Sequence, residues 1–312
     1  MVDVVAVSRS IFCDLIFTGL PGAPQPGQEL YAQGFALCPG GMAANSGMAL
    51  ARLGLKTGIV ARLGRYPLGD VLLSQLEVEN LDLSHLEVTE DEPTAVSVAM
   101  STPLDRCFIT YPSPSFPYGR DPTIIDLDFL ANVRHVLVSA SDVTPDQLAR
   151  MRQMGLGITL GVGWESTRHP DSVLELLPLV DLFVPNEIES CLITGASTPV
   201  DALVELSRHV AHPVIKLGRM GSMTVADGRP LEVPSIPVDP LDTTGAGDVF
   251  AAGLIYGYLR GWKMGDCLRL GNVCGALSAT GVGGGCSAPG WDQIRKAAPD
   301  LDSSIGGLGD QR

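Results

Sequence analysis

Asp242-Thr-Thr-Gly-Ala-Gly-Asp-Val-Phe-Ala-Ala-Gly253 sets two glycines and an alanine directly before an acid, Asp248. It then runs into an apolar helical pattern through Val249, Phe250, Leu254, Ile255 and Tyr258. Small residues at Gly245, Ala246 and Gly247 let main-chain N–H groups face a bound anion. A helix start adds unpaired donors and a partial positive charge. An acid within a pure anion cradle would repel its guest. An acid beside the cradle fits if it takes a proton from a nucleophile while the amides hold a transferring phosphoryl group. The plainer alternative is a Gly-rich turn followed by a first-turn acid that the helix dipole favours.

A second stretch, Gly40-Gly-Met-Ala-Ala-Asn-Ser-Gly-Met-Ala-Leu-Ala-Arg-Leu-Gly54, is followed by Gly64. Gly40-Gly41 opens a helix, Asn45 falls in its first turn and Gly54 closes it. Together the two segments resemble the paired signatures of the ribokinase-like (PfkB-type) carbohydrate kinases. The C-terminal segment fits throughout. The N-terminal one fits in the glycine pair, Asn45 and the Gly54/Gly64 spacing, and departs at Gly47, where the family usually carries alanine or another small residue. The resemblance covers nearly the whole chain. It implies an α/β fold with a mainly parallel sheet, helices on both faces and a small β-sheet lid.

The bulk numbers narrow the function classes. The chain has 312 residues, 45% hydrophobic and 18% charged, enough for a large core. A net charge of −14 argues against nucleic acid, whose phosphates need a basic footprint. The same charge means that an anionic nucleotide needs locally concentrated donors or a metal. The lysines are only Lys56, Lys216, Lys263 and Lys296, so arginines and backbone amides must do much of that work. Seven cysteines without a C-x-x-C pair read as reduced thiols of a cytoplasmic protein. The N-terminal run from Val2 to Val7 reads as a buried strand rather than a signal peptide, and no apolar stretch is long enough to span a bilayer.

Strand-like and helix-like runs alternate. Strands read at Val4–Ser8, Gly58–Ala61, His135–Ser139, Ile158–Leu160, Leu182–Val184 and Val214–Lys216. Helices read at Ala43–Leu53, Gly69–Glu79, Thr123–Asn132, Pro145–Met154, Ser172–Leu177, Asn186–Thr194 and Val200–His209. Short apolar strands between amphipathic helices imply a parallel sheet covered on both faces. Asp227-Gly228 marks a hairpin. Two aromatic-rich segments, about 11–37 and 94–118, break the alternation. They read as a β lid within a kinase domain spanning 1–302, followed by a flexible tail, 303–312. Open lid edges could also pair two copies as a homodimer.

Ligands of parallel α/β sheets bind at the carboxyl ends of the strands. Asp14, expected just past the first strand, is a candidate clamp for sugar hydroxyls, as is Asn45, and Gly40 and Gly41 allow close approach. Arg106 could meet a sugar acid's carboxylate, or be a solvated strand end. Asn186 and Glu189 form a capping-box pattern. The resemblance adds a water-mediated Mg²⁺ role for this pair, a nucleotide role for Lys216, Gly218 and Gly221, and a place for Asn272 beside the adenine. It also implies a site for a monovalent cation such as K⁺ at Asp242 and Thr244. No Walker A motif is present.

The implied reaction is ATP-dependent phosphorylation of a sugar hydroxymethyl group, with Asp248 as base and the Gly245–Gly247 amides as anion hole. Ribokinase-type sequences usually read G-G-K-G-A-N; here Met42 takes the lysine's place and Phe12 replaces a polar residue. After Leu160 the chain reads Gly161-Val-Gly-Trp164, with Arg168 further on, where the family often has Asp and Arg. Two alternatives remain. One is a nucleoside kinase, with Phe12, Phe35, Phe108 and Tyr111 stacking a base. The other is a non-catalytic sugar or nucleotide sensor.

Overall fold

The computed structural model describes residues 2–102, 106–112 and 129–304. Strands β1 (Val2–Ser10), β2 (Phe12–Thr18) and β3 (Gly34–Gly40) precede helix α1 (Met42–Arg52). Then come β4 (Thr57–Tyr66), α2 (Gly69–Glu77), β5 (Asp82–Pro93), β6 (Ala95–Ser101) and β7 (Arg106–Tyr111). The middle of the chain alternates: β8 (Val133–Ser139), α3 (Pro145–Gln153), β9 (Gly157–Gly161), α4 (Pro170–Leu174), β10 (Leu182–Phe183), α5 (Glu187–Thr194), α6 (Pro199–Leu206) and β11 (His212–Lys216). The hairpin β12 (Ser222–Ala226) and β13 (Arg229–Val233) leads to α7 (Ala246–Leu259), α8 (Met264–Ser278), α9 (Trp291–Ala297) and α10 (Pro299–Ser304).

Nine strands form one sheet in the order β13-β12-β11-β10-β9-β8-β1-β4-β5, parallel from β11 through β5 and closed by the antiparallel hairpin. Both faces are covered. Val5, Val7, Val136, Val138, Ile158 and Leu160 pack with Leu148, Met151, Leu203 and Leu206 on one side. Val4 and Leu137 pack with Leu50, Val249, Ala252 and Ile255 on the other. Each of these Val, Leu, Ile and Met side chains contributes about 1.5–3 kcal/mol through burial.

A second, four-stranded sheet in the order β3-β2-β6-β7 is the lid. Its strands span residues 12–18, 34–40, 95–101 and 106–111. The register places Asp14, Ser97, Ser101, Arg106 and Phe108 on one face, and Phe17, Phe35, Val98, Met100 and Tyr111 on the other. A cavity of about 510 Å³ lies on that other face, lined by Phe17, Leu20, Tyr31, Phe35, Val98 and Met100.

The structure departs from the sequence reading at four points. Asp14 follows the first strand, as expected, but it lies within lid strand β2 rather than in a connection, because β1 passes into β2 with only Ile11 between them. Strand β5, at the edge of the main sheet, was not anticipated. The helix expected at Ser172–Leu177 is split into α4 and a short 3₁₀ turn at Leu177–Leu179, with Pro178 inside the turn. Of the helix expected at Thr123–Asn132, residues 123–128 lie outside the described residues, and Phe129–Asn132 is a 3₁₀ turn. Residues 113–118 of the lid and 305–312 of the tail also lie outside them.

Candidate active site

Two helix starts meet here. Gly41, at φ 86°, is the N-cap of α1, and Gly245, at φ 67°, is the N-cap of α7. Both conformations suit glycine. A methyl group on Gly245 would lie 2.8 Å from Asn45 Nδ2 and from Gly284 Cα, so glycine is also required by packing. The close approach brings Asn45 Nδ2 to donate to Asp248 Oδ2 at 3.0 Å, and Ser46 Oγ to donate to the Asp248 carbonyl at 3.0 Å. Gly285 N–H in turn donates to Asn45 Oδ1 at 2.9 Å.

At the α7 start, the N–H groups of Gly245 and Gly247 have no acceptor among the described residues, while that of Ala246 donates to Thr243 O at 3.3 Å. A methyl on Gly247 would sit 3.0 Å from Lys216 Nζ, so the ammonium lies against this helix start. Burial raises the Asp248 pKa above the usual carboxylate value, opposed by Lys216, the Asn45 hydrogen bond and Arg106. Asp248 thus stands beside open main-chain donors, with Lys216 and Arg106 both favouring its charged form.

Asp14 is buried, and a methyl on Gly40 would overlap its carboxyl. Burial first, then repulsion from Asp248, Asp242 and Cys286, pushes its pKa up to about 8. Arg106 reaches away from Asp14 to the α7 turn, where Nη1 donates to Thr243 Oγ1 at 2.6 Å.

Asn186 and Glu189 form the capping box of α5: Glu189 N–H donates to Asn186 Oδ1 at 2.8 Å and Asn186 N–H to Glu189 Oε2 at 2.7 Å. Burial raises the Glu189 pKa; Lys216 and the Asn186 N–H oppose it. One carboxylate oxygen is spent on the cap, which leaves the other for a hydrated ion. No group of three or more His, Cys, Asp or Glu that could hold a metal directly occurs among the described residues. A sparse, water-mediated Mg²⁺ site is compatible with that donor set.

The remaining candidates are more structural. Gly218, at φ 56°, borders open space, whereas a methyl on Gly221 would overlap Val233 O, so Gly221 serves the packing of β13. Asn272 is buried and its Nδ2 donates to Val233 O at 2.9 Å. The Asp242 carboxylate accepts from Ser101 Oγ, Thr244 N–H, Thr244 Oγ1 and Gly283 N–H at 2.7–3.1 Å. Three of these donors fall on Oδ1 and one, the Gly283 N–H, on Oδ2, which keeps a lone pair open. Ser46, Thr243 and the Gly283–Gly285 turn were missed in the sequence. The run Gly281-Val-Gly-Gly-Gly-Cys286 was the available signal.

A family model described as pfkB family carbohydrate kinase matches residues 3–290, and the chain belongs to that family. It is 25% identical over 300 residues to ribokinase of Haemophilus influenzae, covering 91% of this chain and 95% of that one. It is 28% identical over 268 residues to 2-dehydro-3-deoxygluconokinase of Bacillus subtilis, covering 78% and 81%. Among solved structures, ribokinase of Thermotoga maritima superposes with a TM-score of 0.79 at 19% identity, covering 96% of this chain and 100% of that one. Ribokinase of Arabidopsis thaliana, solved with ribose and ATP, gives 0.78 at 24% identity over 95% and 98%. These structures share the fold of this chain, and its family makes it a kinase. No helix among the described residues is long and apolar enough to cross a membrane.

Proposed function

We propose that the chain transfers the γ-phosphoryl group of ATP to a hydroxymethyl group of a sugar or sugar derivative. The observation that carries this reading is Asp248, fixed by Asn45 and Ser46 beside the open N–H groups of Gly245 and Gly247. Asp248 orients the alcohol and takes its proton. The α7 amides and Lys216 stabilise charge on the phosphoryl oxygens. Asn186 and Glu189 would hold Mg²⁺ through water, and the ion would screen the phosphates. Asp14, Gly40 and Gly41 frame the sugar under the lid. Arg106 stands apart from them and is treated below. Asp248→Asn should cut kcat by about 10²–10⁴-fold with ATP affinity nearly kept. Activity within about threefold of the parent in a coupled ADP assay would remove the base role.

A sugar is favoured over a nucleoside by the lid register. Of the four aromatics that could stack a base, Phe35 and Tyr111 lie on the face opposite Asp14, and only Phe12 and Phe108 share its face. A panel of sugars, sugar acids and nucleosides, read by ADP release, tests the choice. Asp242 Oδ2 accepts from one protein donor only, which leaves it able to meet a monovalent cation, so activity should fall when K⁺ is replaced by a tetraalkylammonium salt in the same assay.

A further inference from the structure

Asp14 of β2 faces Ser97 of β6, and Ser97 faces Thr110 of β7, with their hydroxyl oxygens 3.2 Å apart. Arg106 lies four residues along β7 from Thr110, opposite Ser101. Two strand spacings and four residues of rise put Arg106 about 10 Å across and about 13 Å along the sheet from Asp14. This end of the lid rests on the turn that leads into α7. Arg106 Nη1 donates to Thr243 Oγ1 at 2.6 Å, and Ser101 Oγ donates to Asp242 Oδ1 at 3.1 Å. Thr243 stands two residues before Gly245. The charge pattern agrees. Arg106 and Lys216 both act on Asp248 and on Glu189, whereas the groups that perturb Asp14 are Asp248, Asp242 and Cys286.

We propose that Arg106 is a catalytic residue carried by the lid, whose guanidinium binds the oxygens of the transferring phosphoryl group. Lys216 lies against Gly247 and Arg106 reaches Thr243, so the main sheet and the lid each supply one cation near the start of α7. This rests on the kinase reading above. In the step, the sugar oxygen forms the new P–O bond and its proton goes to Asp248. The bond between the γ-phosphorus and the bridging oxygen breaks, and that electron pair leaves with ADP. Arg106 spreads over oxygens that carry charge throughout, and a planar fork matches two of them. A chain of net charge −14 needs such cations where ATP meets Asp248 and Glu189.

The test compares the parent protein with Arg106→Ala, Arg106→Gln and Arg106→Lys. Calorimetry with Mg²⁺ and either a non-hydrolysable ATP analogue or ADP needs no knowledge of the sugar. Arg106→Ala should weaken the ATP analogue about tenfold or more and leave ADP within about twofold, because only the former carries the γ-group. With whichever sugar the panel identifies, kcat should fall about 10²–10³-fold while the sugar KM holds. Arg106→Lys, or added guanidinium ion with Arg106→Ala, should restore part of kcat. Equal loss of both nucleotides, a rise confined to the sugar KM, or an unchanged kcat would overturn the assignment. If Arg106→Ala fails to fold, Arg106→Gln carries the same comparison. Asp248→Asn in the same assay separates the two readings. An active Asp248→Asn removes the kinase mechanism, whereas an inactive one beside a fully active Arg106→Ala removes only the lid cation.

Discussion

Gly40 leaves no room for a side chain, because a methyl group there would occupy the space of the Asp14 carboxyl. Gly40→Ala should therefore push Asp14 aside and raise the sugar KM about tenfold or more, since a misplacement of about 1 Å can cost 10²-fold. ATP affinity should hold, because Lys216 and the α7 start do not touch Gly40; an unchanged sugar KM would detach Asp14 from sugar binding. Asp14 also has a pH signature. Its folded pKa of about 8 lies above the unfolded value of 3.8, so between those values the folded chain holds a proton that the unfolded chain has lost. The contribution is full below the unfolded pKa and is lost as pH rises through about 8. Asp14→Asn, which cannot ionise, should gain stability relative to the parent from pH 5 to pH 9, measured by melting temperature. The sequence showed that an acid stood here, but not where. From Val2 to Thr18 no glycine or proline interrupts the run, so nothing local marks where the main sheet ends and the lid begins.

At the scale of elements, α5 poses a question of dual use. Its capping box satisfies two helix-end donors, and the same carboxylate is the proposed anchor for hydrated magnesium. Glu189→Gln separates the two. Glutamine serves the same capping position, so stability should stay within about 0.5 kcal/mol. Loss of the charge should raise the Mg²⁺ concentration needed for half-maximal activity. If neither melting temperature nor Mg²⁺ dependence moves, capping is the whole role of Glu189. This box was legible from Asn186 and Glu189 alone because both partners are local in sequence. Strand β5 was not. Glu87, Glu90, Asp91 and Glu92 interrupt any apolar alternation, and Arg62 and Arg65 of β4 pair with Glu87 and Glu90. Charged edges of this kind discourage pairing with other chains, and that design hides a strand from a hydrophobicity reading.

Across the whole molecule, the proposed site lies toward the carboxyl ends of the parallel strands, and His135 lies near the opposite end of β8. The alternation of short apolar strands and helices revealed that layering in the sequence; the burial of one histidine within it did not show. His135 is fully buried, its Nε2 2.7 Å from Thr159 Oγ1, while its Nδ1 has no hydrogen-bond partner among the described residues. Burial lowers its pKa from 6.5 to about 4; Arg134 adds to the effect and Asp181 opposes it. The folded chain therefore refuses a proton that the unfolded chain accepts. Stability from this group is complete above the unfolded value and is lost as pH falls from about 6.5 to about 4, by about 3 kcal/mol in all. His135→Gln keeps an amide for Thr159 and cannot titrate. Its stability should decline less steeply than the parent's between pH 7 and pH 4, measured by urea unfolding, and kcat at pH 7 should not change because the substitution is remote from Asp248. Parallel acid limbs in the two proteins would mean that His135 is protonated in the native state without cost, and that this end of the sheet opens to water.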